Sequence, residues 1–110
     1  MNSIGGNITA QIQVKTENGK NRMGEKQLTW STVYSPIGFL DLTNGDSNYN
    51  YNAKLQESTH IFICDYFPIN VNAEQSRMVI DNQVYDIKYI DDPMGLHDHL
   101  EIFLKMVGGQ

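Results

Sequence analysis

One stretch predicts most about how this chain folds: Ser58-Thr59-His60-Ile61-Phe62-Ile63-Cys64-Asp65-Tyr66. Ile61 and Ile63 alternate with Phe62, Cys64 and Tyr66, which puts apolar side chains on both faces of an extended strand. Such a pattern indicates burial on both sides, as in a strand at the centre of a barrel. In that setting Cys64 acts as a small hydrophobic residue of the core.

Two further strand regions precede this stretch. From Ile8 to Lys15 apolar and polar residues alternate, which predicts a half-buried strand. The polar segment Glu17 to Lys26 is typical of a loop or a long hairpin. A second strand region runs from Leu28 to Leu42, with a bend expected at Pro36 and Gly38. Its predicted core-side residues are Trp30, Val33, Ile37, Phe39 and Leu42.

Three strands follow. Arg77 to Ile80 and Val84 to Ile90 flank Asp81-Asn82-Gln83, which predicts a tight hairpin. Tyr85, Ile87 and Tyr89 are predicted to share one face of its second arm. A last alternating strand runs from Leu100 to Val107, and a frayed tail is expected from Gly108 to Gln110. The prediction is a single all-β domain over residues 1–110, a small antiparallel β-barrel or sandwich with one long loop and at most one short helix.

Composition and charge limit the function. The chain has 110 residues, 13 acidic and 8 basic, with a net charge of -5. An acidic protein is a poor free-standing nucleic-acid binder, because affinity for phosphate comes mainly from Lys and Arg. Lys15, Lys20, Arg22 and Lys26 lie in one turn region, which we interpret as a solvated hairpin tip rather than a DNA clamp. One cysteine, no signal-peptide pattern and no long apolar run predict synthesis in the cytoplasm and no membrane span.

The connection from Thr43 to Glu57 is longer than a compact domain needs, and such loops tend to be functional. Asn44-Gly45-Asp46 is a turn signal, and Ala53 to Glu57 could form about one helical turn. Tyr49 and Tyr51 could stack on bases, as in single-strand binders. Because Asp46 is the only charged residue from Asn44 to Asn52, we favour a low-charge interaction loop instead.

Three groups of residues have side chains that could form an active site or a metal site. His97-Asp98-His99, with His60 as a third ligand, could resemble a zinc site, but a polar connector is the preferred interpretation. Cys64 would need a partner histidine to act as a nucleophile. Asp91-Asp92, with Asp98 and Glu101 beyond, matches no metal-loop spacing and suits turn chemistry. We therefore predict no enzyme, no catalytic or metal-binding residues and no cofactor.

The order of these features is specific in combination. It begins with the strand Ile8 to Val14, a Gly-containing polar turn, Trp30 and a strand entering the long loop. It continues with Glu57-Ser58-Thr59-His60-Ile61, then Ile63 and Tyr66, then Met78-Val79-Ile80-Asp81-Asn82-Gln83-Val84-Tyr85-Asp86-Ile87, and closes with Leu100-Glu101-Ile102 and Leu104-Lys105. Over nearly the whole chain this order resembles the tailed-bacteriophage head–tail joining (head-closure, or stopper) family. Two positions depart from it: Cys64-Asp65 stands where the family carries a basic residue, and the turn Asp81-Asn82-Gln83 lacks a glycine.

The resemblance implies a structural virion protein of the head–tail connector, made in the bacterial host cytoplasm. It implies a homo-oligomeric ring, a dodecamer when assembled and a monomer in isolation, with portal and adaptor proteins above and tail proteins below. The ring would close the DNA exit channel after packaging and offer a tail docking surface, while DNA passes through the lumen without sequence-specific binding. The loop projecting toward the channel would use Thr43, Asn44, Gly45, Asp46, Ser47, Asn48, Tyr49, Asn50, Tyr51 and Asn52.

Other functions stay open at this point. A tail-completion or tail-terminator ring shares the size and β content. A small β-barrel that binds nucleic acid or a small ligand belongs to a different class, and an enzyme based on His97 and His99 is the least favoured.

Overall fold

The computed structural model describes residues 5–20, 22–43 and 58–109 of the chain. Over these residues the chain is mostly β-strand, with two 3-10 turns, Ala73–Gln75 and Pro93–Gly95. No helix among the residues described is long and apolar enough to cross a membrane. The strands are β1 (Ile8–Thr9), β2 (Gln11–Lys20), β3 (Lys26–Tyr34), β4 (Ile37–Leu42), β5 (His60–Asp65), β6 (Ser76–Ile80), β7 (Gln83–Asp91) and β8 (His99–Gly109).

These strands form one antiparallel sheet in the order β1-β4-β5-β8-β7-β6-β2-β3. Its two ends belong to one bent hairpin, because β1 continues into β2 through Ala10 and β3 continues into β4 through Ser35 and Pro36. The Ala10 amide donates to the Pro36 carbonyl at 2.9 Å and carries the pairing across the bend. The sheet therefore curls back on itself, which confirms the prediction of a small antiparallel all-β barrel.

The core lies inside this curled sheet. Phe62 and Cys64 of β5 point into it, and the other fully buried large side chains are Ile12, Met78, Leu100, Ile102 and Leu104. β5 lies between β4 and β8, as expected for an interior strand. Ile61 and Ile63 are only partly buried, however, so the prediction of burial on both faces of β5 was wrong.

The predicted core face of the second strand region was also wrong. Val33, Ile37, Phe39 and Leu42 are all about half exposed or more, and Trp30 is partly buried on the outer surface. The core-facing positions are instead Tyr34, Gly38 and Leu40. A bulge at Val33 shifts the alternation, since Ile12 pairs with Tyr34 while Gln13 pairs with Thr32, which leaves Val33 as the extra residue.

A second bulge changes which residues of β7 face the core. Ile87 pairs with Leu104 and Tyr89 pairs with Phe103, so Lys88 is an extra residue that shifts the alternation. Ile90 consequently packs against the core in place of Tyr89. The expected frayed tail was wrong for Gly108 and Gly109, which pair with Val84 and Gln83.

Candidate functional site

The long loop joins β4 to β5 and is the first candidate. Of its predicted channel-closing residues the structure describes Thr43. The other nine, Asn44, Gly45, Asp46, Ser47, Asn48, Tyr49, Asn50, Tyr51 and Asn52, lie outside the described residues, as does the helical turn expected from Ala53 to Glu57.

The two ends of the loop are held together by backbone and side-chain hydrogen bonds. The last ladder pair before the loop joins Leu42 to His60. Beyond it the Thr43 amide donates to the Thr59 carbonyl at 3.0 Å, and the Thr43 hydroxyl donates to the Ser58 carbonyl at 2.7 Å. The loop thus leaves and re-enters the barrel at neighbouring points.

Thr59 connects this base to β8. Its amide donates to the Leu104 carbonyl at 2.8 Å, and its hydroxyl accepts from the Met106 amide at 2.8 Å. The hydroxyl also lies 2.8 Å from Nδ1 of His60. Ser58 beside it is 5% exposed. We call Thr43, Ser58 and Thr59 the loop base, and Thr59 bonds it to two residues of β8.

An aromatic contact lies behind the loop base. The His60 ring meets the Tyr85 ring edge-on, with centroids 5.1 Å apart. Tyr85 is buried, and that burial, together with the charge of Asp81, raises its pKa above its usual value. The Tyr85 hydroxyl therefore stays neutral, so Tyr85 adds no charge behind the loop base. The sequence prediction missed Ser58 and Thr59 as anchors, although the hydroxyl residues at both ends of the loop were a visible signal.

The histidines do not assemble a metal site. Nδ1 of His97 lies 2.5 Å from Oδ2 of Asp92, and Nε2 of His99 lies 3.0 Å from Oε2 of Glu101. His60 and His99 lie at opposite ends of the β5–β8 ladder, where they pair with Leu104 and Asp65. Within residues 5–20, 22–43 and 58–109 no three potential ligands gather around one point.

The remaining titratable groups show the effects of burial and crowding. Cys64 is 1% exposed, and burial with the nearby Asp65 charge raises its pKa to about 12. Burial, then Glu101 and Asp92, raise the pKa of Asp91, while His99 partly opposes them. Cys64 is thus a protonated core thiol rather than an activated nucleophile.

A shallow groove of about 430 Å³ lies beside the bend between β3 and β4. Tyr34 and Phe67 form one wall, with ring centroids 5.0 Å apart, and Pro36 and Ile37 contribute to the lining. Among the described residues that line it, Asp65 alone is charged. The groove offers apolar shape with few polar groups to orient a small ligand.

The fold and the loop base define a small β-barrel protein with one long loop held at a hydrogen-bonded base. The family model for phage head completion proteins matches residues 2–107. The chain therefore belongs to the phage head completion protein family, which confirms the resemblance seen in the sequence.

The fold also matches a solved structure. The chain is similar to the solution structure of protein SF1141 from Shigella flexneri 2a, with a TM-score of 0.69 and 19% sequence identity over 96% of each chain. At this identity the likeness concerns the fold. The comparison with curated proteins gives no match. Family membership indicates a structural phage head-closure role as part of the virion.

Proposed function

We propose that this protein forms a homo-oligomeric ring in the head–tail connector, closes the DNA exit channel after packaging and provides the tail docking surface. Portal and adaptor proteins lie above this ring and tail proteins below it. The family match over residues 2–107 is the observation that carries the proposal. A ring requires a head-to-tail interface that closes on itself, in which one surface of each barrel contacts a different surface of the next.

The channel-closing element in this proposal is the loop from Thr43 to Asn52. The loop base supports it, because its hydrogen bonds to Thr59 and β8 hold the start of the loop in a defined place. Many copies of an Asn- and Tyr-rich segment that converge on one axis would bind each other by hydrogen bonds and ring stacking. The net charge of -5 disfavours binding of DNA to the wall of the lumen.

Deletion of residues 44–52 in the phage that encodes this protein tests the closure. The expected result is assembled heads whose DNA becomes sensitive to added nuclease, with a matching loss of infectious particles. The matched control replaces the same residues with Gly and Ser at equal length, which separates loop length from loop chemistry. Heads that keep their DNA after the deletion would exclude the loop as the closing element. Recovery of the protein on tails that lack heads would favour a tail-completion ring.

The loop base offers a finer test. Thr59→Ala removes the hydroxyl that accepts from the Met106 amide, whereas Thr59→Ser retains it. Loss of one partly buried hydrogen bond costs about 1 kcal/mol of stability. We therefore expect intermediate DNA leakage from Thr59→Ala particles and near wild-type retention for Thr59→Ser. Equal retention by both variants would show that the anchor at Thr59 does not matter for closure.

A further inference from the structure

The hairpin of β2 and β3 extends beyond the barrel as a two-stranded arm. β2 pairs with β6 only from Gln11 to Val14, whereas its pairing with β3 continues from Lys15 opposite Trp30 to Lys20 opposite Lys26. From Lys15 to Lys20 at about 3.3 Å per residue, the arm reaches roughly 15–20 Å. The molecule measures 50 × 31 × 26 Å, in keeping with a projecting element. We call residues 15–30 the arm.

The root of the arm has a fixed direction. Two cations contact the Trp30 ring, with Cζ of Arg77 4.3 Å and Nζ of Lys15 5.4 Å from its centroid. Nε of Arg77 donates to Oε1 of Gln13 at 2.8 Å, and Nε2 of Gln13 donates to the Thr32 hydroxyl at 3.3 Å. These contacts preorganise the arm for a partner and reduce the entropy lost on binding.

The arm is basic in an acidic protein. It holds four basic and two acidic residues, whereas the rest of the chain holds four basic and eleven acidic residues. Lys20 and Arg22 near its end are exposed, as are Met23 (83%) and Leu28 (54%). A two-stranded hairpin by itself is marginally stable in water, and its bare edges favour contact with another surface.

A surface of opposite character lies on the outer face of β4, β5, β8 and β7. Phe39 pairs with Ile63, Ile61 pairs with Phe103, and Phe103 pairs with Tyr89, so their outward side chains form a continuous apolar band. Carboxylates border this band, because Asp41 pairs with Ile61 and Glu101 pairs with both Ile63 and Asp91. We call the following eight residues the outer strip: Phe39, Asp41, Ile61, Ile63, Tyr89, Asp91, Glu101 and Phe103.

The arm and the outer strip match in two ways. Exposed cations and apolar side chains on the arm correspond to carboxylates and an apolar band on the strip. Asp91 and Glu101 are paired neighbours and their negative charges repel each other. Cations of an arm that docks there would reduce this repulsion. Exposed apolar patches with a polar rim are typical of protein–protein contacts. The two surfaces lie on different parts of one chain, so their contact between copies is head-to-tail.

We propose that the arm of each copy docks on the outer strip of the next copy and so forms the subunit interface of the ring. This inference rests on the proposed function, because it assigns the contact by which that ring closes. The partner is a second copy of this chain, and the recognition is a basic, apolar hairpin on an acidic-bordered apolar sheet face.

Charge reversal with restoration tests the pairing on assembled connectors. Lys20→Glu with Arg22→Glu reverses the arm, and Asp41→Lys with Glu101→Lys reverses the strip. Each protein is added to portal–adaptor complexes of the same phage, and rings are counted by negative-stain microscopy after sedimentation. We expect either reversal alone to reduce ring formation about tenfold or more, since like charges would meet at the interface. The chain with all four substitutions should form rings again.

A matched pair of substitutions tests the apolar part of the outer strip. Phe39→Ser removes an outer-strip side chain that is 47% exposed, whereas Met94→Ser removes one that is 90% exposed away from the strip. Only Phe39→Ser should weaken ring formation, and circular dichroism confirms that each variant folds. Rings from the arm-reversed or strip-reversed chain at wild-type level would overturn the inference and leave the proposed ring intact. Loss without restoration in the four-fold variant would assign the arm to another partner, such as the adaptor or DNA, and also overturn it. No ring from the wild-type chain would instead refute the proposed function.

Discussion

Cys64 shows how burial determines the chemistry of a single residue. The thiol is 1% exposed and its pKa is raised to about 12, because the interior and the nearby Asp65 charge disfavour the thiolate. We expect iodoacetamide at pH 8 to label the native protein at least about a hundredfold more slowly than the denatured protein, since the thiolate is the reactive form. Mass spectrometry of the labelled chain checks this. Rapid labelling of the native protein would show that β5 is accessible from solution.

Asp91 shows the opposite balance, a carboxylate destabilised in the fold. Burial, then Glu101 and Asp92, raise its pKa above 3.8, so the folded state holds this proton more tightly than the unfolded chain. Ionisation of Asp91 therefore lowers stability as pH rises through the folded-state pKa. Asp91→Asn should raise the Tm by about 1–3 °C at pH 7, and this gain should vanish below pH 3.8.

Thermal unfolding at pH 7 and pH 3.5 measures this effect, and Asp98→Asn is the control. Asp98 is exposed nearby and its change removes the same charge. An equal gain from Asp98→Asn would assign the effect to net charge, while an unchanged gain at pH 3.5 would exclude titration of Asp91 as its cause.

Gly38 explains why the predicted core face of β4 was wrong. A Cβ at this inward position would lie 2.2 Å from the Ile63 carbonyl oxygen, so β4 and β5 approach closely only because the side chain is absent. Periodicity detects apolar side chains, and it therefore selected Ile37 and Phe39, which lie on the outer face. A glycine in the core leaves no hydrophobic signal in the sequence.

The β6–β7 hairpin illustrates how an element can be specified locally. Asp81 and Asn82 both adopt positive φ, 50° and 66°, as a two-residue type I′ turn requires. Glycine is the residue best suited to the second position, whereas alanine is strained there. Asn82→Gly should stabilise the protein by about 0.5 kcal/mol and Asn82→Ala should destabilise it by about 1 kcal/mol. Urea unfolding measures both, and a variant pair of equal stability would contradict this turn geometry.

Local signals decide which elements of the fold could be predicted from the sequence. The hairpin predicted around Asp81-Asn82-Gln83 and the strand predicted from Ser58 to Tyr66 are both present, the strand with the shorter bounds His60–Asp65, because turn chemistry and alternation are local signals. The faces of Val33 and Tyr89 were not predicted correctly, since each lies at or next to a bulge that shifts the alternation by one residue. Bulges depend on the partner strand, so they leave no trace in the periodicity of either strand alone.

In the whole molecule, the curling of the sheet determines where the loop base lies, because it brings β8 beside β5. The loop was predictable from its length, and the hydroxyl residues at its ends were a signal for its base. The partners of that base were not predictable, because Thr59 reaches Leu104 and Met106 only once β8 has paired with β5. The arm was predicted as a solvated hairpin tip. Its extent became visible only where the β2–β6 pairing ends at Val14 while the β2–β3 pairing continues.

The closed sheet also predicts that the barrel folds without the loop. The loop base and the core of the described residues already form one connected unit, and the deleted chain still spans from Thr43 to Ser58 through five residues. Shortening a loop by more than half reduces the entropy lost on closure by roughly 1 kcal/mol or less. Deletion of residues 44–52 should therefore leave the free energy of unfolding within about 1 kcal/mol of the wild-type value, measured by urea unfolding. Equal-length Gly and Ser replacement is the control for composition. A loss of several kcal/mol on deletion would show that the loop is part of the folded core, and any leakage of DNA would then be explained by misfolding rather than by an open channel.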